Sequence, residues 1–152
     1  MRLQDKLQEM KEKREAQSYF RENNSEYLEP MDYLKALTVG LLIATAGGFL
    51  IQLLSFMTQW VFMYAFALVG YGVGIAVKKV TNTGNVKLAS IAVIGYTIGI
   101  VFGMVLFMGF TIGLGNFTYN LAIIYFVEIY SDIAALIFIF VGAICTYSVA
   151  KK

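Results

Sequence analysis

Two carboxylates are the residues best placed to do chemistry, because Glu128 and Asp132 are the only acids that follow Asp32. They lie four positions apart, so in a continuous helix both would project from one face. A pair of this kind at an outer mouth of a membrane protein could bind a cation or a proton. Acids near membrane depth cost free energy and usually serve a function. The pair could instead mark the start of an apolar helix, where the helix dipole favours negative charge. We favour this boundary interpretation and keep the outer-mouth acidic site as the alternative.

The residue types needed for catalysis or metal binding are scarce in the sequence. The chain has no histidine and one cysteine, Cys145, so the commonest metal ligand and general base is missing. Cys145 lies in an apolar run, where we expect a small buried hydrophobe rather than a nucleophile. Apart from the acidic pair, the sequence offers no convergent acid and base set. It therefore predicts a protein that is not an enzyme, with no metal site and no cofactor.

The composition is that of a membrane protein. Hydrophobic residues make up 59% of the 152 residues and charged residues 14%, whereas soluble domains average about 25% charged. Four spans of about 20 residues fit this length and leave no room for a second folded domain besides the N-terminal tail. We expect an all-α protein of four transmembrane helices, packed as a compact antiparallel bundle in the cell membrane. The small net charge of +2 gives no support to nucleic-acid binding.

Apolar runs and their polar interruptions predict where the spans lie. We place them over about 34–57, 60–77, 88–113 and 132–150. Pro30 suits the first position of the helix that enters the first span. The last 34 residues before Lys151 would form a helix of about 51 Å, too long for a hydrocarbon core of about 30 Å. The helix must therefore break, and we predict a short interfacial or re-entrant helix over about 117–130.

The positive charges predict the orientation. Every lysine and arginine lies in the N-terminal tail, beside the first span, around the turn after the second span or at the C-terminus. Neither predicted outer connection carries one. The positive-inside rule then places both termini in the cytoplasm.

Small residues spaced four apart predict close helix packing, in the manner of a glycine zipper. Such residues share one helix face, where missing side chains let two backbones approach inside lipid. In an antiparallel hairpin closed at the turn 81–85, Gly70 is expected to face Gly95, and Phe66 to face Gly99. The predicted packing residues are Gly40, Ala44, Gly48, Gly70, Gly74, Gly95, Gly99 and Gly103.

The N-terminal tail differs in composition from the rest of the chain. Residues 1–29 carry six lysines and arginines and seven acids. Their charge spacing predicts a charged, helical cytoplasmic tail ahead of a transmembrane domain over 30–152. A short apolar stripe at helical spacing includes Leu7 and Met10. The tail is either a solvated helix or a docking and oligomerising helix.

These features favour a non-catalytic accessory, scaffold or self-assembling membrane component. Its partners would be the lipid bilayer and either copies of itself, as a homo-oligomer, or another membrane protein. The alternative is a small oligomeric channel or transporter with a pathway between glycine-rich helices. Coupled transport is disfavoured, because residues 36–127 contain no acid, histidine or arginine.

Overall fold

The computed structural model describes residues 3–23, 28–58, 63–113 and 118–152, and every element in these ranges is an α-helix. The all-helical prediction is therefore confirmed. The starts predicted at 60 for the second span and at 117 for the interfacial helix lie outside the described residues. The helices are α1 (Leu3–Asn23), α2 (Pro30–Thr58), α3 (Met63–Thr81), α4 (Val86–Ile112), α5 (Tyr119–Ser131) and α6 (Ile133–Lys151).

The chain divides into two compact units, Met1–Pro30 and Met31–Lys152. The first contains α1, whose described side chains are all exposed. Within it the Lys13 ammonium lies 3.0 Å from the Glu9 carboxylate, which is the helix-supporting spacing of four residues and contributes about 0.5 kcal/mol at most. Leu7 and Met10 are each about half exposed.

Three helices of the second unit, α2, α4 and α6, are long and apolar enough to cross a membrane. Their mean hydropathies are 2.0, 2.4 and 2.3. Large apolar side chains such as Leu42, Phe102 and Phe140 are more than half exposed along them, which suits contact with lipid rather than water. The chain is thus consistent with a multi-pass membrane protein. α3, which has Lys78 and Lys79 in its last turn, is not among the three.

Helix boundaries follow from local chemistry. α2 begins at Pro30, as predicted, and has Asp32 in its first turn. Asn85 starts α4, because its side chain accepts a hydrogen bond from the Lys87 amide at 2.9 Å. Asp132 has extended backbone and ends α5, and its carboxylate accepts from the Ala134 amide at 2.9 Å to start α6. The predicted break between a short helix and the last span is confirmed.

The first close helix contact joins α4 to α2. A Cβ added at Gly99 would lie 2.6 Å from the Leu41 carbonyl oxygen, and one at Gly103 would overlap the Thr45 carbonyl oxygen. From the opposite side, a Cβ at Gly48 would overlap the Ile100 carbonyl oxygen. Residue numbers rise together along the two helices, so α2 and α4 run parallel.

The second close contact joins α3 to α6. A Cβ at Gly70 would overlap the Gly142 carbonyl oxygen, and one at Gly74 would lie 2.7 Å from the Val149 Cβ. The numbers again rise together, so this pair is also parallel. Thr146 strengthens the contact, because its hydroxyl donates to the Gly70 carbonyl at 3.0 Å.

The predicted pairing of glycines across the α3–α4 hairpin is wrong. Gly70 has Gly142 as its nearest neighbour rather than Gly95, and the Phe66 ring lies 6.0 Å from the Phe138 ring of α6 rather than against Gly99. The reason is that α4 presents a different face to α3. That face carries Tyr96, which is fully buried and donates its hydroxyl to the Phe66 carbonyl at 3.3 Å.

The core is centred on α4. Half of the apolar window of α4 is buried, against 28% for α2 and 22% for α6. Its glycine face contacts α2, while Tyr96 packs directly onto Gly142 of α6. At the far end Phe107 packs edge-on against Phe49 of α2, with ring centres 5.5 Å apart. Packing of the bundle therefore depends on α4, which contacts α2 with one face and α6 with another.

Candidate functional site

The candidate site is a cavity of about 490 Å³ inside the unit Met31–Lys152. It lies where the C-terminal parts of α2 and α4 meet the start of α3, the end of α5 and the start of α6. This size falls in the usual range for small-molecule sites, about 300 to 1,000 Å³. It is lined by Ile51, Gln52, Ser55, Phe66, Met104, Met108, Tyr125, Glu128, Ile129, Asp132, Ala134, Ala135 and Phe138.

The polar groups of the cavity are acidic or neutral. Glu128 and Asp132 are exposed, whereas Gln52 and Ser55 are half-buried. Among the described residues that line the cavity there is no lysine or arginine. Isoleucine, methionine, phenylalanine and alanine side chains form most of the wall, so the cavity offers a carboxylate side and an apolar side. It could hold a cation or an amine-bearing amphiphile.

The two acids do not share one face of a continuous helix. The Asp132 amide makes the last helical hydrogen bond of α5, to the Glu128 carbonyl at 3.1 Å, and α5 ends there because the Asp132 backbone is extended and its side chain starts the next helix. Asp132 therefore performs a capping role, in line with the boundary interpretation. Both residues border the same cavity, Glu128 from the last turn of α5 and Asp132 from the break between α5 and α6.

The residues predicted to pack helices occupy helix contacts rather than this cavity. All eight are buried. Three lie on α2, two on α3 and three on α4, and the Ala44 methyl meets the position of a Cβ at Gly99 at 2.8 Å. The set is split between the α2–α4 and α3–α6 contacts.

Most of the remaining polar side chains that the sequence singles out form hydrogen bonds with backbone carbonyls of their own helices. The hydroxyls of Thr38, Thr45, Thr97 and Thr111 donate to carbonyls three or four residues back, as expected for hydroxyls in apolar helices. Cys145 is half-buried in α6 and does not line the cavity. In the described part of the chain, no group of three or more histidine, cysteine, aspartate or glutamate residues could hold a metal ion.

Sequence reasoning missed one buried charge. Asp32 is fully buried, with the Lys35 ammonium 3.9 Å from its carboxylate. It occupies the same buried face of α2 as Ala36 and Gly40, which continue from it at steps of four. This spacing was the available signal, since extending the row of small residues by one turn reaches Asp32.

Comparison of the chain with protein-family models, with curated proteins and with solved structures finds no match. Its function has therefore to be inferred from its own residues. The cavity, the two parallel helix pairs and the charged helix α1 are the features from which that inference starts.

Proposed function

We propose that this chain is a non-catalytic membrane component that acts as an accessory, scaffold or self-assembling subunit and recognises its partner through residues 1–29. The observation that carries the proposal is the exposure of α1. This helix of 21 residues exposes every described side chain, including the apolar Leu7 and Met10. Helices in proteins owe most of their stability to packing of an apolar face, so a helix of this length whose described side chains are all exposed is well suited to packing on a partner.

The glycine faces support the same proposal by elimination. Those of α2 and α4 contact each other, and those of α3 contact α6. They are occupied within one chain and are not free to line a pathway between subunits. Specific polar recognition then falls to the tail, which carries more than half of the charged residues of the chain.

We further propose four spans in the cell membrane, formed by α2, α3, α4 and α6, with both termini cytoplasmic. Two parallel pairs, α2 with α4 and α3 with α6, are the arrangement that four alternating spans would give. Lys78 and Lys79 in the last turn of α3 and Lys152 at the end of α6 lie around one groove, which agrees with their being on the same side of a membrane. The short helix α5 would then lie at the outer interface or re-enter the membrane.

The proposal is tested on the full chain with an apolar-stripe variant, Leu7→Ser together with Met10→Ser. Gln8→Ser with Glu12→Ser is the matched control, because these residues lie on the opposite face of α1. Oligomeric mass in detergent, measured by light scattering, and co-purification from native membranes are compared for both. We expect the first variant to lose assembly or partner binding and the control to keep it. Equal behaviour of both would refute recognition through this stripe.

A second candidate is a small transporter or channel, and the cavity is the observation that favours it. A compartment of about 490 Å³ with two carboxylates on one side could receive a cationic solute. Its pathway would pass through the cavity of each subunit instead of between glycine-rich helices. Flux of a monovalent cation into proteoliposomes that is lost in Glu128→Gln, with thermal stability unchanged, would establish this function. Absence of flux in the unmodified protein would remove it.

A further inference from the structure

A second concave surface lies at the opposite end of the unit from the acidic cavity. It is a groove of about 620 Å³ between the end of α3 and the end of α6. Three lysines, one asparagine and one tyrosine hydroxyl provide its polar groups. The groove is lined by Tyr71, Ile75, Lys78, Lys79, Asn82, Val149 and Lys152.

The groove is assembled by tertiary packing rather than by neighbouring sequence alone. The turn after α3 packs directly onto the end of α6, since a Cβ added at Gly84 would overlap the Lys152 backbone. Asn82 makes this turn possible by adopting a φ of 54°, a conformation that asparagine tolerates better than most residues. The contact brings Lys152 beside Lys78 and Lys79 although they belong to helices far apart in sequence.

The groove is amphipathic along the axis of α3, with charged residues at one end and less polar residues further along the helix. The three lysines are exposed at one end, and Tyr71 and Ile75, 52% and 44% exposed, continue down the same side of α3. The seven steps of helix from Tyr71 to Lys78 correspond to about 10 Å. This length admits a charged head at the lysines and the first carbons of an apolar chain below them. Free phosphate would leave these apolar walls unused.

We propose that this groove binds the head group of an anionic phospholipid, with the start of an acyl chain against Ile75 and Val149. Charge complementarity selects the occupant, because no acid is among the described residues that line the groove. An anionic head would also relieve the repulsion between three lysines held together. The inference rests on the chain being embedded in a membrane and is independent of recognition through α1.

The test uses the full chain in detergent, with binding followed by native mass spectrometry and by the thermal unfolding midpoint. The probes are phosphatidylglycerol, phosphatidylcholine and the soluble head-group analogue glycerol 3-phosphate. The variant Lys78→Gln with Lys79→Gln removes two groove charges. Lys87→Gln with Lys151→Gln removes two charges near the same turn from residues that do not line the groove.

We expect phosphatidylglycerol to bind and stabilise the unmodified protein and the Lys87/Lys151 variant. In the Lys78/Lys79 variant the dissociation constant should rise at least tenfold, because each lysine near a membrane surface changes binding about fivefold and the variant removes two. Equal weakening in both variants would show general surface attraction and overturn the proposal. So would equal binding of phosphatidylcholine, or equally tight binding of glycerol 3-phosphate, which would indicate a phosphate site without lipid.

Discussion

The hydroxyl of Thr146 donates to the carbonyl oxygen of Gly70 across the α3–α6 contact, at 3.0 Å, and joins residues 76 positions apart. The same hydroxyl lies 3.0 Å from the Gly142 carbonyl of its own helix. The bond is possible because two glycines meet there, so that the backbones approach closely enough for a short side chain to reach across. It therefore reports directly on the pairing of these two helices.

Replacing Thr146 by valine removes this bond while keeping the shape of the side chain. We expect the loss of about 0.6 kcal/mol of stability, the average for hydrogen bonds between membrane helices. Thr97→Val is the matched control, because the Thr97 hydroxyl donates within its own helix, to the Val93 carbonyl. Thermal unfolding in detergent measures both. A Thr146→Val protein as stable as the Thr97→Val protein would show that the bond between the helices contributes nothing.

Gly70 and Gly72 give a sharper test within one helix. A Cβ at Gly70 would overlap the backbone of Gly142, whereas a Cβ at Gly72 would meet nothing within 4 Å. We expect Gly70→Ala to cost about 1 to 3 kcal/mol through overpacking. Gly72→Ala should be neutral or stabilising by up to about 1 kcal/mol, because alanine favours helix over glycine. The reverse order in unfolding midpoints would contradict the α3–α6 pairing.

The spacing of the glycines predicts which helix faces form close contacts, but not which neighbouring helix each face contacts. Steps of four between Gly95, Gly99 and Gly103 require a close contact on one side of α4. They do not state which helix makes it, and the short turn after α3 suggested that helix as the neighbour. The structure instead gives the glycine face to α2 and the Tyr96 face to α3 and α6. A helix face that carries a large side chain can still pack closely when the facing helix has a glycine at the contact. Tyr96 of α4 packs in this way against Gly142 of α6.

Boundaries could be predicted because they depend on local chemistry. Pro30 at the start of α2 and Asp132 before α6 act through their own backbone and side chain. The cavity could not be predicted, since it arises from five helices that meet at one end. The burial of Asp32 could have been predicted from helical spacing, because Asp32 lies four residues before Ala36 on the buried face of α2.

Asp132 distinguishes a capping role from a ligand-binding role. Asparagine can accept the same hydrogen bond from the Ala134 amide, so Asp132→Asn should leave folding nearly unchanged. Asp132→Ala should cost about 1 kcal/mol through the lost cap. Circular dichroism during heating measures the difference. Loss of cation flux in Asp132→Asn, with folding intact, would show that the charge is needed for more than the cap.

The proposed orientation is tested by cysteine labelling in intact cells, in a Cys145→Ser background that removes the one native thiol. A membrane-impermeant maleimide should label cysteines placed at Thr58 and Thr118, which border the proposed outer connections. A cysteine at Asn82, in the lysine-rich turn, should react only after the membrane is permeabilised. Labelling of Asn82→Cys in sealed cells would reverse the orientation.

Recognition through α1 is the central claim, and photocrosslinking in living cells tests it most directly. A photoreactive amino acid is placed at Leu7, which is 50% exposed in α1, or at Phe140, which is 66% exposed in α6. We expect the probe at Leu7 to form one discrete protein adduct, either with a second copy of the chain or with one partner. The probe at Phe140 should form none, because that side chain would face lipid. Discrete adducts from Phe140 and none from Leu7 would contradict the claim and move recognition into the membrane.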